Sequence, residues 1–377
     1  MEGLSLVADS RVRGPSPRFA SSKCGNFRPL RGLDPRILAH SRKLAPLSCT
    51  RGQEESIDGF AGVAYASGYL ADSVEVMEWE SGKSLDDIAA KQGIRIRRSP
   101  PISQEHGESA PRNILEKIIW TKDLEVSQLK NRKPLALLNE ALEDAPPVRD
   151  FIGALKASYL RTGMPALIAE VKKASPSRGV LRHDFDPVQI AKAYERNGAA
   201  CLSILTDEKY FQGSFENLQA VHEAGVKCPL LCKEFIIDPW QIYYARLKGA
   251  PWQIYYARLK GADAVLLIAG VLTDLDIKCM TMVCGKLGLV ALVEVHNEME
   301  IDRVLNIDGV QLIGINNRNL ETFEGITVVG ESGLFTPEDI SYVQDAGVKA
   351  VLVGESLIKQ SDPGKAIAGL FGKDISL

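Results

Sequence analysis

The chain has 377 residues and a formal net charge of −3, with 45% apolar and 25% charged residues. That balance suits one large globular domain or two, supplies no basic face for nucleic acid, and excludes a membrane surface as partner. The longest uncharged apolar run, Ala264 to Leu272, falls far short of the ~18 residues of a membrane span.

Residues 1–51 set Arg11, Arg13, Arg18, Lys23, Arg28, Arg31, Arg36, Arg42, Lys43 and Arg51 against only Glu2, Asp9 and Asp34. Serines are frequent and no apolar block occurs. This pattern resembles an organelle transit peptide rather than a secretory signal; a basic tail without an address is the alternative. Residues 52–111 turn polar, acidic and Gly/Ser/Pro-rich, which predicts a disordered linker with one short helix at Ser84 to Ala90. Residues 112–163 predict a helical extension. Ile114, Leu115, Ile118, Ile119, Leu124 and Leu129 follow a helical period, and further helices are expected over Leu135 to Leu142 and Asp150 to Leu160, with Asp150 as N-cap.

From Met164 the pattern alternates strand and helix. Strands are expected at Ala166–Lys172, Ala200–Thr206, Pro229–Phe235, Ala264–Ala269, Leu289–Val295, Val310–Asn316, Ile326–Glu331 and Ala350–Gly354. They are short and nearly all apolar, as strands covered on both faces are, and helical stretches separate most of them. Residues 164–377 therefore predict an α/β fold, a (β/α)8 TIM barrel carrying the N-terminal helical extension. An open doubly wound sheet is the alternative, but no GxGxxG follows any strand, so its dinucleotide-binding form is weak. Seven scattered cysteines without CxxC spacing predict reduced thiols, with Cys228 and Cys232 in the core. The five histidines show no ligand spacing, so no metal site is expected.

In such a barrel the working residues sit at the C-terminal strand ends. Read in turn, those ends offer Glu170 and Lys172, then Lys233, Glu234 and Phe235, then Glu294 and His296. Asn316 and Arg318 follow, then Glu331, Ser332 and Gly333, and finally Gly354 and Glu355. Glu170 and Lys172 are two apart and so share one face of their strand. A lone pair of this kind reads equally well as a surface ion pair. Charged tips on several strands instead suggest one partly buried ring of acids and bases. The matched loops GESGL and GESLI expose backbone N–H groups where this fold commonly holds phosphate.

Seven stretches, IAEVKKASPS, LTDEKYFQGS, LLCKEF, ALVEVH, IGINNRNL, VVGESGLFTPEDI and VLVGESL, together resemble the indole-3-glycerol-phosphate synthase family in its plant chloroplast form, from about Arg112 onward. The resemblance implies a stromal carboxy-lyase of tryptophan biosynthesis, a monomer acting on a small anionic substrate without metal or organic cofactor. It implies Lys233 as general acid, Lys172 on the substrate carboxylate and as a donor to the leaving hydroxyl, and Glu170 and Glu294 sharing base and acid function in dehydration, with the division between them left open. Asn316 and Arg318 would orient substrate groups and Glu331 the sugar. Phe235 and Leu320 would pack on the aromatic ring. Ser175, Ser332, Gly333, Gly354 and Glu355 would cradle the phosphate. A phosphoribosylanthranilate isomerase needs a Cys/Asp pair at the first and fifth strand ends, which is missing here; a non-catalytic barrel that only binds a sugar phosphate or a protein stays open.

Two features depart from the family pattern. PWQIYYARLKGA occurs twice in tandem, over residues 239–250 and 251–262, where one copy is expected. Twelve helical residues add ~18 Å, so only one copy can serve as the barrel helix. Between strands 6 and 7 only the nine residues 317–325 remain, against the dozen or more of an ordinary parallel crossover. They reach at most about 32 Å, enough to close the barrel without an outer helix. The outer face of strands 6 and 7 is then expected to lie bare, leaving the chain less stable and less active until a helix-length insert after Glu324 restores the cover.

Overall fold

The structure, a computed structural model, describes residues 85–98, 110–132, 135–237, 252–316 and 326–376. The proposed transit segment, the first repeat copy, Arg318 and Leu320 lie outside the described residues. Eight parallel strands close into a barrel: β1 Ala166–Val171, β2 Cys201–Leu205, β3 Leu230–Lys233, β4 Ala264–Ile268, β5 Val290–Val295, β6 Leu312–Ile315, β7 Thr327–Glu331 and β8 Ala350–Val353. They pair in sequence order, and β8 closes on β1 with Ala166 opposite Ala350 and Ala169 opposite Val353. Every residue of β1, β2, β4, β6 and β8 is buried, as two-sided cover demands.

The helices are α1 Leu85–Lys91, α2 Ile114–Arg132, α3 Leu135–Ala141, α4 Phe151–Thr162, α5 Pro187–Arg196, α6 Glu208–Phe211, α7 Phe215–Glu223 and α8 Trp252–Leu259, then α9 Asp274–Lys286, α10 Glu298–Leu305, α11 Pro337–Asp345, α12 Glu355–Ile358 and α13 Ala366–Phe371. Local signals set their starts. Asp186 accepts from Val188 N and Gln189 N with Pro187 in the first turn, and Thr273/Asp276 and Thr336/Asp339 form capping boxes. The second repeat copy supplies the barrel helix α8, whose Ile254 and Ala257 are fully buried.

Phe151 and Leu155 of α4 pack with the inward residues Ala166, Ile168 and Leu231, plugging one end of the barrel. Burial of each contributes roughly 1.5–3 kcal/mol. Arg149, just before α4, pairs with the buried Asp263 at 2.7 Å, and Asp263 also accepts from Leu230 N at 2.8 Å, latching the plug to β3 and β4.

Two expectations are corrected. The short helix expected at Ser84 to Ala90 is present as α1, but the disorder expected around it is not, for residues 85–98 pack as a strap: Ile88 and Ile94 are buried, and Arg98 bonds Asp276 at 2.6 Å and Val271 O at 2.7 Å. Local polarity concealed these few long-range anchors. Nor is the outer face of β6 and β7 bare. Ile313, Ile315 and Val328 are buried in one cluster with Val304 and Ile307 by α10 and Ile340 and Val343 of α11. Among the described residues, no helix stands between these two strands, and β6 still pairs β7 from Leu312–Thr327 to Ile315–Gly330.

The extension is tied to the barrel by one buried cation. Lys122 of α2 sits 3.0 Å from Asp207, 3.1 Å from Glu234 and 2.7 Å from Glu125. Burial alone would lower its pKa, but Glu234 and Asp207 outweigh that and raise it. Lys122→Ala would strand two buried carboxylates and is expected to cost about 3–5 kcal/mol of unfolding free energy at pH 7, read from denaturant titrations.

Candidate active site

At the C-terminal end of the strands lies a cavity of about 260 Å³. Its lining includes Glu170, Lys172, Lys233, Phe235, Glu294, Asn316, Glu331, Ser332, Gly333, Gly354 and Glu355. Eleven of the fourteen residues expected at the site thus converge. Ser175 does not line it: it lies in a short antiparallel ladder with Gly179, its Oγ buried and without a hydrogen-bond partner among the described residues. Phe211 lines the cavity too, 5.9 Å ring to ring from Phe235. It was missed because the side chain sits on α6 rather than at a strand end; the motif LTDEKYFQGS contained it.

Lys233 Nζ lies 2.8 Å from Glu331 and 3.2 Å from Glu294, and Lys172 Nζ 2.5 Å from Glu170. Burial would lower the pKa of Lys233, but Glu331, Glu294 and Glu170 together raise it, so it stays an ammonium. Glu331 is pushed up to about 7 by burial and by Glu294, against the pull of Lys233. Burial also raises Glu294, but Lys233 and His296 hold it well below the usual carboxylate range. One buried ammonium between two unlike carboxyls can hold and move protons near neutral pH.

Two glycines make room for this ring. A Cβ at Gly354 would collide with Glu170 Oε2, and one at Gly314 with Glu331 Oε1. Glu234 also lines the cavity, but its carboxylate pairs with Lys122 rather than Lys233, with Thr206 Oγ1 donating to it at 2.9 Å. Past β7 the chain turns through Ser332 at φ 67° and Gly333 at φ 73°. A serine in this left-handed region costs of order 1 kcal/mol, a strain that clusters at ligand sites. No side chain caps α12, leaving its first N–H groups without that partner beside the cavity residues Gly354, Glu355 and Ser356. The Glu355 carboxylate itself turns to Lys359 and Arg178.

A closed (β/α)8 barrel with paired lysines and glutamates at its mouth defines an acid–base enzyme. Comparison with known proteins narrows the class. The family model for indole-3-glycerol phosphate synthase matches residues 115–252 and 250–370, breaking at the tandem repeat. The chloroplastic indole-3-glycerol phosphate synthase of Arabidopsis thaliana is 57% identical over 416 aligned positions, covering 100% of both chains. The alignment is longer than this chain, so that relative carries residues absent here. The synthase of Rippkaea orientalis is 52% identical, covering 70% of this chain and 92% of its own, and that of Crocosphaera subtropica 48%, covering 74% and 99%. The chain belongs to the indole-3-glycerol phosphate synthase family, carboxy-lyases of tryptophan biosynthesis.

A buried acid with a raised pKa binds its proton more tightly folded than unfolded, so its contribution to stability falls as pH rises from about 4.5 through about 7. Glu331→Gln removes that fall. The variant's unfolding free energy relative to the unsubstituted chain is expected to climb between pH 5 and 8 by ~1–3 kcal/mol, read from urea titrations.

Proposed function

We propose that this chain converts 1-(2-carboxyphenylamino)-1-deoxyribulose 5-phosphate into indole-3-glycerol phosphate, carbon dioxide and water. The observation that carries the reading is the buried Lys233 ammonium, bracketed by Glu294 and Glu331 inside the cavity. The aromatic carbon bearing the carboxylate bonds to the ribulose carbonyl carbon, and Lys233 gives a proton to the carbonyl oxygen. A cationic donor stabilises the oxyanion character developing there. The carboxylate, held by Lys172, leaves as carbon dioxide and its bonding electrons restore the ring. The new hydroxyl leaves as water: Lys172 protonates it, and one of the carboxylates Glu170 and Glu294 takes the proton lost from the neighbouring ring carbon.

Asn316 and Arg318 orient substrate hydroxyl and carboxylate groups, and Glu331 holds the sugar. Phe235 and Leu320 pack on the ring, with Phe211 beside Phe235. Ser332, Gly333, Gly354 and the N–H of Glu355 hold the phosphate, supported by the turn after β7 and the uncapped start of α12. Ser175, expected as a fifth phosphate contact, stands outside the cavity lining with its Oγ buried and is not assigned that role. The mature enzyme works in the chloroplast stroma after loss of residues 1–51. The basic, serine-rich, acid-poor start supports that, as does the chloroplastic name of the Arabidopsis relative. The ring of Lys233, Glu294 and Glu331 assembles within one chain, so a monomer suffices for the proposed chemistry.

The test is direct. Pure protein given the carboxyphenylamino substrate is expected to develop indole fluorescence, and Lys233→Ala to lower kcat by about 1,000-fold or more with an unchanged circular dichroism spectrum. Turnover unaffected by the substitution would overturn the mechanism.

A further inference from the structure

His296 is a charged member of the strand ends that the proposed chemistry leaves unused. It stands two residues after Glu294, on the same side of the chain. Its Nε2 lies 3.1 Å from Glu294 Oε1, and its Nδ1 3.3 Å from Glu300 Oε2. Glu300 is itself fixed: Oε2 accepts from His296 N at 2.8 Å, Oε1 from Asn297 Nδ2 at 2.8 Å, and Glu300 N donates to Asn297 Oδ1 at 3.0 Å. These bonds anchor the grip on the start of α10, a rigid element. From the cavity outward the groups run Glu331, Lys233, Glu294, His296, Glu300, carboxyls alternating with cations.

Without His296 the two carboxyls flanking Lys233 would differ little. Each is buried, and each has one oxygen on the ammonium. The groups facing Glu294 are Lys233 from β3, Glu331 from β7, Asn316 after β6 (3.5 Å) and His296, while Glu170 of β1 acts on the same ammonium. Glu294 Oε1 is engaged by His296 and Asn316, whereas Glu331 Oε1 is buried with no partner among the described residues. Of the two groups on Glu294 Oε1, the imidazole is the closer and the one that can carry charge, and it stands on the Glu294 side alone.

We propose that His296, gripped by Glu300, is a positioning residue for turnover: it holds Glu294 Oε1 and so presents Oε2 to Lys233 in one orientation. This rests on the ring-closing function proposed above. Hydrogen bonding to Glu294 and then to Glu300 raises His296 to about 10, so the grip is cationic at neutral pH. His296 moves no proton itself. It keeps Glu294 the ionised carboxylate and leaves Glu331 the one that titrates near neutrality.

The experiment compares the unsubstituted chain with His296→Leu, His296→Gln and Glu300→Gln. It measures kcat and KM from pH 5 to 9, together with ¹⁵N NMR titration of the His296 ring. His296→Leu is expected to lower kcat about 10- to 100-fold with KM within about threefold, and to move the acid limb of kcat up by roughly one pH unit. The glutamine amide can still donate to Oε1, so His296→Gln recovers part of kcat but not the limb. Glu300→Gln keeps the capping geometry at α10 and removes the charge; it is expected to lower the imidazole midpoint by roughly one unit or more. His296→Leu within twofold of the unsubstituted chain across the pH range overturns the proposal. So does an imidazole midpoint near that of free histidine in the unsubstituted chain. No turnover by the unsubstituted chain would instead reject the ring-closing function, and the NMR titration would still decide whether Glu294 and Glu300 hold His296.

Discussion

One ammonium between two buried carboxyls organises this molecule. Lys233, Glu294 and Glu331 come from β3, β5 and β7, and they meet only because the barrel closes in register. Removing three charged groups from water is costly, and the cost is offset only where opposite charges sit at hydrogen-bonding distance. The barrel supplies that rigidity. Its strands are apolar on both faces with charge confined near their ends, so a slip by one residue would turn Lys233, Glu294 or Glu331 away from the others. The glycines at 314 and 354 belong to the same requirement, since a methyl group at either would take the space of a glutamate carboxylate.

The extension and the barrel are joined by the same device. Lys233 and Glu234 are adjacent and so point to opposite sides of the chain. One enters the catalytic ring; the other meets Lys122 of α2 beneath Phe235. The clamp thus fixes the β3 end from outside while the ring fixes it from inside. The strap at 85–98 adds a third anchor through Arg98 on Asp276, at the capped start of α9.

The tandem repeat and the short connection between β6 and β7 test how much irregularity the barrel absorbs. The second copy of the repeat lies in the outer layer and packs its Ile254 and Ala257 inward. Extra residues in a surface connection add only a slowly growing entropy of closure. The shortened connection is the sharper constraint, yet Ile313, Ile315 and Val328 are buried alongside residues of α10 and α11. The outward side chains of β6 and β7 are buried even though no crossover helix is found between these strands among the described residues.

Strand order, helix starts and the charged strand tips were legible in the sequence because each rests on local chemistry. Short, nearly all-apolar runs, period-3.6 apolar patterns, Asp186 before Pro187, and glycines after helices act within a few residues. Motifs carried the family and with it eleven of the residues that line the cavity. Four matters belonged to tertiary structure alone: that Glu234 pairs with Lys122 rather than Lys233, that Phe211 joins Phe235, that residues 85–98 fold against the barrel, and that His296 bridges Glu294 and Glu300. Each depends on which distant side chain arrives within a few ångströms. A linear pattern records which way a residue points from its own strand or helix, but only the closed barrel decides what it meets there.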